Sequence, residues 1–280
     1  MITLNKIKHS AAEFTEGCHG NYTSEEAAIS PEYNGMKIYD APIFACGCAN
    51  DELYGKFKAP DVIGTNFMTP TEWLPNAKTV ISFFLPYTET IRLANARDYQ
   101  WPADEWLHGR YEGQLFLLSL ADYIKQLLQE EGFESLIPAV DPRFGSKKAD
   151  AKSKIKFTSN WSERHVAYAC GLGTFGLSKG LITEKGMCGR FGSIITELDL
   201  PKDTRPYQEV YEYCTMCGIC IPHCPAQAIS FAEGKDSLQC SAFIDKVHQH
   251  CTPRYGCGKC QVNVPCESKR PAMQKATKEV

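Results

Sequence analysis

Residues 213–230 read YCTMCGICIPHCPAQAIS, with the cysteines spaced Cys214-x2-Cys217-x2-Cys220-x3-Cys224-Pro225. A four-iron cluster has four corners, and a short looping backbone can offer thiolates to three of them. The fourth cysteine, set before a proline, then points away toward a second cluster. Zinc takes four ligands too, but usually as two pairs separated by a longer loop. The run therefore reads as an iron–sulfur site, and it predicts a partner.

The partner must come from downstream, where Cys240, Cys251, Cys257, Cys260 and Cys266 follow. Reciprocal exchange needs three cysteines for the second cluster and one sent back to the first. In YGCGKCQVNVPCES (255–268) the close pair Cys257 and Cys260 is expected to share the second cluster. Cys266 follows Pro265, where the chain changes direction, and is the expected crossing ligand. The place left is filled by Cys240 or Cys251. Cys240 is favoured because it precedes SAFIDKVHQH, a candidate helix whose N-terminus would stabilise a thiolate. The expected ligands are thus Cys214, Cys217, Cys220, Cys224, Cys240, Cys257, Cys260 and Cys266, with Cys251 as the alternative to Cys240.

The chain has 280 residues, 43% hydrophobic and 22% charged, with a net charge of -3. These values suit a soluble globular protein and give no overall pull toward nucleic acid or anionic membrane. Nine of the 14 cysteines lie between Cys214 and Cys266. So many cysteines suit metal binding in a reducing compartment better than disulfides. The N-terminus, MITLNKIKHSAAEF, has neither a continuous apolar core nor a twin-arginine pair, and no run approaches a membrane span of ~20 apolar residues. A cytoplasmic protein without a membrane partner is expected.

Upstream, the first thirty residues are polar and are expected to be irregular or weakly helical. KIYDAPIFA (37–45) and SLIPAV (135–140) read as strands, DELYGKFK (51–58) as a short helix, and TVISFFL (79–85) as a buried strand. Apolar residues recur at helical spacing from Asp104 to Glu131, and Gly132 supplies a stop. SERHVAYACG (162–171) reads as a helix ending at glycine. GLITEKGMCGRFGSIITEL (180–198) reads as a hairpin, and PKDTRPY (201–207) as a linker. The pattern predicts an α/β or α+β catalytic domain over 1–205 and a ferredoxin-like domain with two [4Fe–4S] clusters over 206–280.

These cysteines, together with WSERHVAYACGLGTFGLSKGLIT (161–183) and FGSIITELDL (191–200), resemble epoxyqueuosine reductase and the corrinoid reductive dehalogenases. The resemblance covers roughly residues 135–270. It implies a nitroreductase-like, cobalamin-binding first domain and two clusters that pass electrons to cobalt. It implies an external low-potential donor, a ferredoxin or flavodoxin. Asp141, in Val140-Asp141, falls where the family has a proton-donating aspartate in a V-D-S segment, although Pro142 replaces the serine. The glycines Gly171, Gly173 and Gly176 fall in a segment that lies near the corrinoid in the family. Arg164 and His165 precede them as candidate cofactor contacts, and buried or surface side chains are the plain alternative.

The family's helical-repeat region, suited to tRNA, does not follow Cys266. Segment 206–280 carries eight Lys and Arg against seven Asp and Glu, a net of +1. A small-molecule substrate is therefore expected and nucleic acid is not. No D-x-H-x-x-G motif occurs, so base-off cobalamin without a protein histidine on cobalt is expected. Gly171-x-Gly173-x-x-Gly176 follows a helical pattern and leads toward a strand, the wrong context for a dinucleotide fingerprint. His108 and Arg110 near a helix start are candidates to contact an anionic substrate or cofactor side chain, or else form a solvated helix face. The rival readings are a flavin in place of the corrinoid, and a non-catalytic electron-transfer protein.

Overall fold

The structure, a computed structural model, describes residues 2–148 and 157–272. Residues 273–280, the end of the expected cysteine-rich domain, lie outside the described residues. At its centre is a four-stranded antiparallel sheet in the order Ile43–Cys48, Thr79–Pro86, Gly189–Thr196, Ser135–Leu136. The Thr79–Pro86 strand is buried along its whole length, as its unbroken β-branched and aromatic run requires. Its register sets Thr79 opposite Thr196 and Pro86 opposite Gly189. Helices cover both faces. Val80, Ala45 and Ile195 pack with the Glu163–Cys170 helix, and Ile81, Phe83 and Ile194 pack with the long Asp104–Glu130 helix. Both helices end at a left-handed glycine, Gly171 (φ 103) and Gly132 (φ 87).

Tyr207, Tyr213, Cys220, Ile229, Cys260 and Val264 join the core on the Glu163–Cys170 face. The cysteine-rich segment is therefore packed into the sheet's own core. Among the described residues no helix is long and apolar enough to cross a membrane.

Four local expectations differ from the structure. The N-terminus forms a full helix, Leu4–Gly17, with the Thr3 hydroxyl accepting from Lys6 N–H. Tertiary packing supports it: Ile7 and Ala11 are buried, and Phe14 stacks on Tyr123 at 4.5 Å. The first strand begins at Ile43 and runs on to Cys48, because Pro42 has no N–H for the ladder. Pro138 likewise ends the Ser135–Leu136 strand and starts a 3-10 turn through Val140. The hairpin over 180–198 does not form. Leu181–Thr183 pairs with Gly173–Phe175, while Gly189–Thr196 fills the open edge of the Thr79–Pro86 strand. Gly189 allows that ladder, since a Cβ there would lie 2.2 Å from the Leu85 carbonyl oxygen.

Candidate iron–sulfur centres and the adjoining cavity

The Cys214–Cys224 segment turns sharply through left-handed residues Met216 (φ 51) and Gly218 (φ 74). Short-range bonds from Cys214 N–H to the Tyr211 carbonyl and from Ile221 N–H to the Gly218 carbonyl fix the loops. These turns bring Cys214, Cys217 and Cys220 round one hollow, which Cys266 completes from the far side. Cys224 leaves the run and joins Cys240, Cys257 and Cys260 on the wall of a second, larger cavity. Cys251, at the last turn of the Ser237–Cys251 helix, lines neither. Cys240 lies in the first turn of that helix, which Asp236 caps.

Burial and the neighbouring sulfurs of Cys214, Cys217 and Cys220 push the Cys266 thiol up to about 12. Burial and the sulfurs of Cys260, Cys240 and Cys224 do the same to Cys257. These two thiols thus resist ionising until metal supplies positive charge. The Cys260 sulfur lies close enough to act on Cys220, so the two sets adjoin. Among the described residues no three His, Cys, Asp or Glu gather closely enough for a single ion. The thiol sets ring hollows instead, the arrangement suited to a many-atom cluster.

The cavity beside the second set encloses about 440 Å³, within a cleft of about 1470 Å³ counted out into solvent. Flat walls come from Tyr87, Trp106, Trp161 and Phe191, and charged groups from Arg110, Glu163, Arg164, Arg190 and Lys235. Lys235 is held above the usual lysine range by the Cys260 sulfur, with Cys240 adding to it. Arg164 donates to the Lys179 carbonyl at 2.5 Å and has Cys260 and Cys240 as its sulfur neighbours. Its guanidinium is enclosed by protein yet solvent-accessible, because it borders the open cavity.

Glu163 opens its helix with one oxygen accepting from the Ser193 hydroxyl at 2.7 Å. That hydroxyl accepts from Trp161 Nε1 at 3.0 Å. The other oxygen, Oε1, is buried without a partner. Burial raises the Glu163 pKa to about 7 against the opposing Ser193 and Trp161 bonds. Trp106 Nε1, Arg110 Nη1, Arg190 Nε and Gln261 Oε1 are also buried without partners, and all four residues line the same cavity. These atoms are themselves closed off from solvent, so they mark an imperfectly satisfied polar wall behind the cavity rather than the groups that a ligand in it would touch.

Several residues singled out from the sequence lie elsewhere. Asp141 leaves the Pro138–Val140 turn and bonds Arg143 through both oxygens, at 2.8 and 2.9 Å, outside the cavity lining. His165 bonds the Ser162 hydroxyl and packs on Phe57 and Phe175, where burial drives its pKa down to about 3. Gly171 caps a helix, and Gly173 sits where a Cβ would fall 2.0 Å from the Ile182 oxygen. Gly176 lines the first hollow. His108 is buried between Ile29 N–H and Glu112, which pairs with Arg254, so it braces the helix. Sequence reasoning missed Glu163, Trp106 and Arg190. Their only sequence signal is a charged or aromatic residue at the edge of an apolar segment.

The fold carries two adjoining sets of four cysteines, and the first run has a recognised family. Residues 207–230 match the model of the 4Fe-4S binding domain family. The chain is related to two kinds of enzyme. It is 26% identical over 222 residues to epoxyqueuosine reductase of Bacillus anthracis, covering 75% of this chain and 53% of that protein. It is 39% identical over 75 residues to tetrachloroethene reductive dehalogenase of Desulfitobacterium hafniense, covering 26% of this chain and 14% of the other. The chain thus spans about half the length of the curated epoxyqueuosine reductase it matches.

Two solved structures share the fold. One is epoxyqueuosine reductase with an epoxyqueuosine-modified tRNA-Tyr stem loop (TM-score 0.52, 16% identity, 96% of this chain and 67% of that one). The other is a reductive dehalogenase described for B12-dependent dehalogenation (TM-score 0.52, 15% identity, 82% of this chain and 30% of that one). Since the first holds a tRNA stem loop, the expectation that nucleic acid is not a partner gains no support.

Proposed function

We propose that this chain is an iron–sulfur reductase in which two [4Fe–4S] clusters would deliver electrons to cobalamin in the open cleft beside the second thiol set, for reduction of an organic substrate. The observation that carries the reading is that Cys224, Cys240, Cys257 and Cys260 form one wall of that cavity. A cluster held by these four thiols would face the cavity directly and supply electrons there. Cys214, Cys217, Cys220 and Cys266 would hold the first centre. Cys217 is exposed, beside the exposed apolar side chains Met216, Ile219 and Phe231, which offer an external ferredoxin or flavodoxin its docking point. Such thiol-rich chemistry suits the cytoplasm.

The residues present fit cobalamin. Its ring is flat and fringed with amides, and the cavity is lined by the flat side chains of Tyr87, Trp106, Trp161 and Phe191 and by the polar Arg110, Arg190, Glu163 and Gln261. Bound there, cobalamin would supply a cobalt centre able to take up electrons and pass them to the substrate. Arg164 and Lys235 offset the negative charge of the second thiolate set. Glu163, with a pKa of about 7 and a free buried oxygen, holds a proton for the reduced product.

Anaerobic purification from cobalamin-fed cells, with iron, cobalt and flavin analysis, tests the reading. About eight irons and one cobalt per chain are expected. Flavin without cobalt would replace the cofactor. Eight irons with no cobalt or flavin and no affinity for added cobalamin would leave an electron-transfer protein.

A further inference from the structure

We infer that the cavity takes a ligand bearing an anionic group, a carboxylate or a phosphate, held between the guanidinium groups of Arg110 and Arg190. The inference rests on reading the cavity as the reaction site. It does not depend on which cofactor is bound.

Arg110 comes from the long helix and Arg190 from the central sheet, and both line the cavity. They repel one another: burial and the Arg190 charge together bring the Arg110 pKa down to about 10. Among the described residues neither forms an ion pair with a carboxylate. Glu163, which also lines the cavity, is itself pushed toward its neutral form, and its Oε2 is occupied by Ser193. The other cations are accounted for, because Arg164 and Lys235 have the Cys260 and Cys240 sulfurs beside them. That leaves Arg110 and Arg190 as the cavity-lining guanidinium groups with no thiol set beside them, and part of each, Arg110 Nη1 and Arg190 Nε, lacks an acceptor even within the protein.

The pair is also built. Arg110 lies over the Tyr255 ring at 4.3 Å, which sets the plane of its fork. Gly256 (φ +126) makes room for the arginine stem, since a Cβ there would lie 2.9 Å from Arg110 Cγ. Arg190 is anchored by Gln114, which accepts from its Nη2. Two oriented forks without a carboxylate suit an anion with two or three oxygens. Two like charges held on one cavity wall without a carboxylate ion pair repel each other, Arg190 having only the largely neutral Glu163 near it, and a bound anion relieves that repulsion.

The test uses iron-loaded, cobalt-free protein and follows thermal unfolding against inorganic phosphate and benzoate, with chloride at matched ionic strength as control. A saturable rise in Tm with phosphate or benzoate, but not chloride, is expected. Arg110→Gln and Arg190→Gln should each weaken it by at least about tenfold. Each variant without anion should melt no lower than wild type, because an unpaired charge has gone. Should either lose iron, Arg190→Lys, which keeps the charge but not the fork, serves instead and should bind more weakly. No saturable rise on the order of tens of millimolar anion, or an unchanged rise in the variants, overturns the inference. Repeating the titration with cobalamin and with cobinamide, which lacks the nucleotide phosphate, separates two sources. Loss of the response with cobalamin alone assigns the anion to the cofactor, and its survival with both assigns it to the substrate. A chain that binds neither corrinoid sinks the cofactor reading and leaves the anion result standing.

Discussion

Ser193 donates to one oxygen of Glu163 at 2.7 Å, while the other oxygen is buried and unpartnered beside the cavity. The bond fixes the carboxyl, and burial keeps its proton on up to about pH 7. The folded chain therefore holds a proton that the unfolded chain releases near the ordinary glutamate value. Stability from this source is complete below that value and is lost as pH rises through about 7. Glu163→Gln should melt a few degrees above wild type at pH 8, with the gap closing toward pH 5. In a reductase assay wild-type activity should fall on the alkaline side of pH 7. Parallel melting curves across this range would refute the buried carboxyl.

The ligand sets give separable losses of iron. Cys266→Ser should disturb the first centre and Cys240→Ser the second, while Cys251→Ser should keep the full complement. Iron analysis with low-temperature EPR of the reduced proteins reads this directly. Iron lost from Cys251→Ser and kept in Cys240→Ser would reverse the assignment.

Gly258 carries the loop between Cys257 and Cys260 across Trp106. Its φ is 66, and a Cβ would fall 1.8 Å from the indole ring. Gly258→Ala should cost several kcal/mol, about 1–3 of it from overpacking, and lower iron content at the second centre. Gly55→Ala, where a Cβ would meet nothing within 4 Å, is the matched control. It should be neutral or slightly stabilising by calorimetry.

Asp141 is tied to Arg143 near the surface. Asp141→Asn should change stability by no more than about 1 kcal/mol. If Glu163 supplies the proton, this variant should keep the pH profile and most of the turnover. Abolished turnover with unchanged iron would instead give the role to Asp141.

The proposed grouping of cysteines rests on spacing, which cluster geometry constrains tightly, and the two hollows divide the same eight cysteines four and four. Three thiolates at short intervals cannot turn the fourth the same way, so Cys224 had to look elsewhere. The cavity's polar lining could not be read so. Glu163, Arg110 and Arg190 are single residues on three separate elements, and only the sheet and the long helix bring them to one space. The Leu4–Gly17 helix was hidden for a similar reason. Its mean composition is polar, and the contacts that support it, Phe14 on Tyr123 among them, join distant parts of the chain. The hairpin expected over 180–198 failed because local turn chemistry competes with an open edge on the central strand, and the edge offers the longer ladder.

Glu267 passes so close to Gly186 that a Cβ there would lie 2.2 Å from the Glu267 carbonyl oxygen. The Met187 N–H donates to the carbonyls of Cys266 and Glu267, and Arg92 pairs with the Glu267 carboxylate at 2.7 Å. Cys266 is thus docked on the strand entrance that leads into the sheet, far in sequence from Cys214. On the proposed ligand assignment, a nascent chain still tethered at its ribosome just beyond Cys224 lacks the last ligand of its first centre. It also lacks three of the four ligands of its second. Biogenesis would therefore wait for the distal segment: a chain cut short between Cys260 and Cys266 would carry every ligand of the second centre but lack one of the first, and a chain cut short before Cys240 would complete neither.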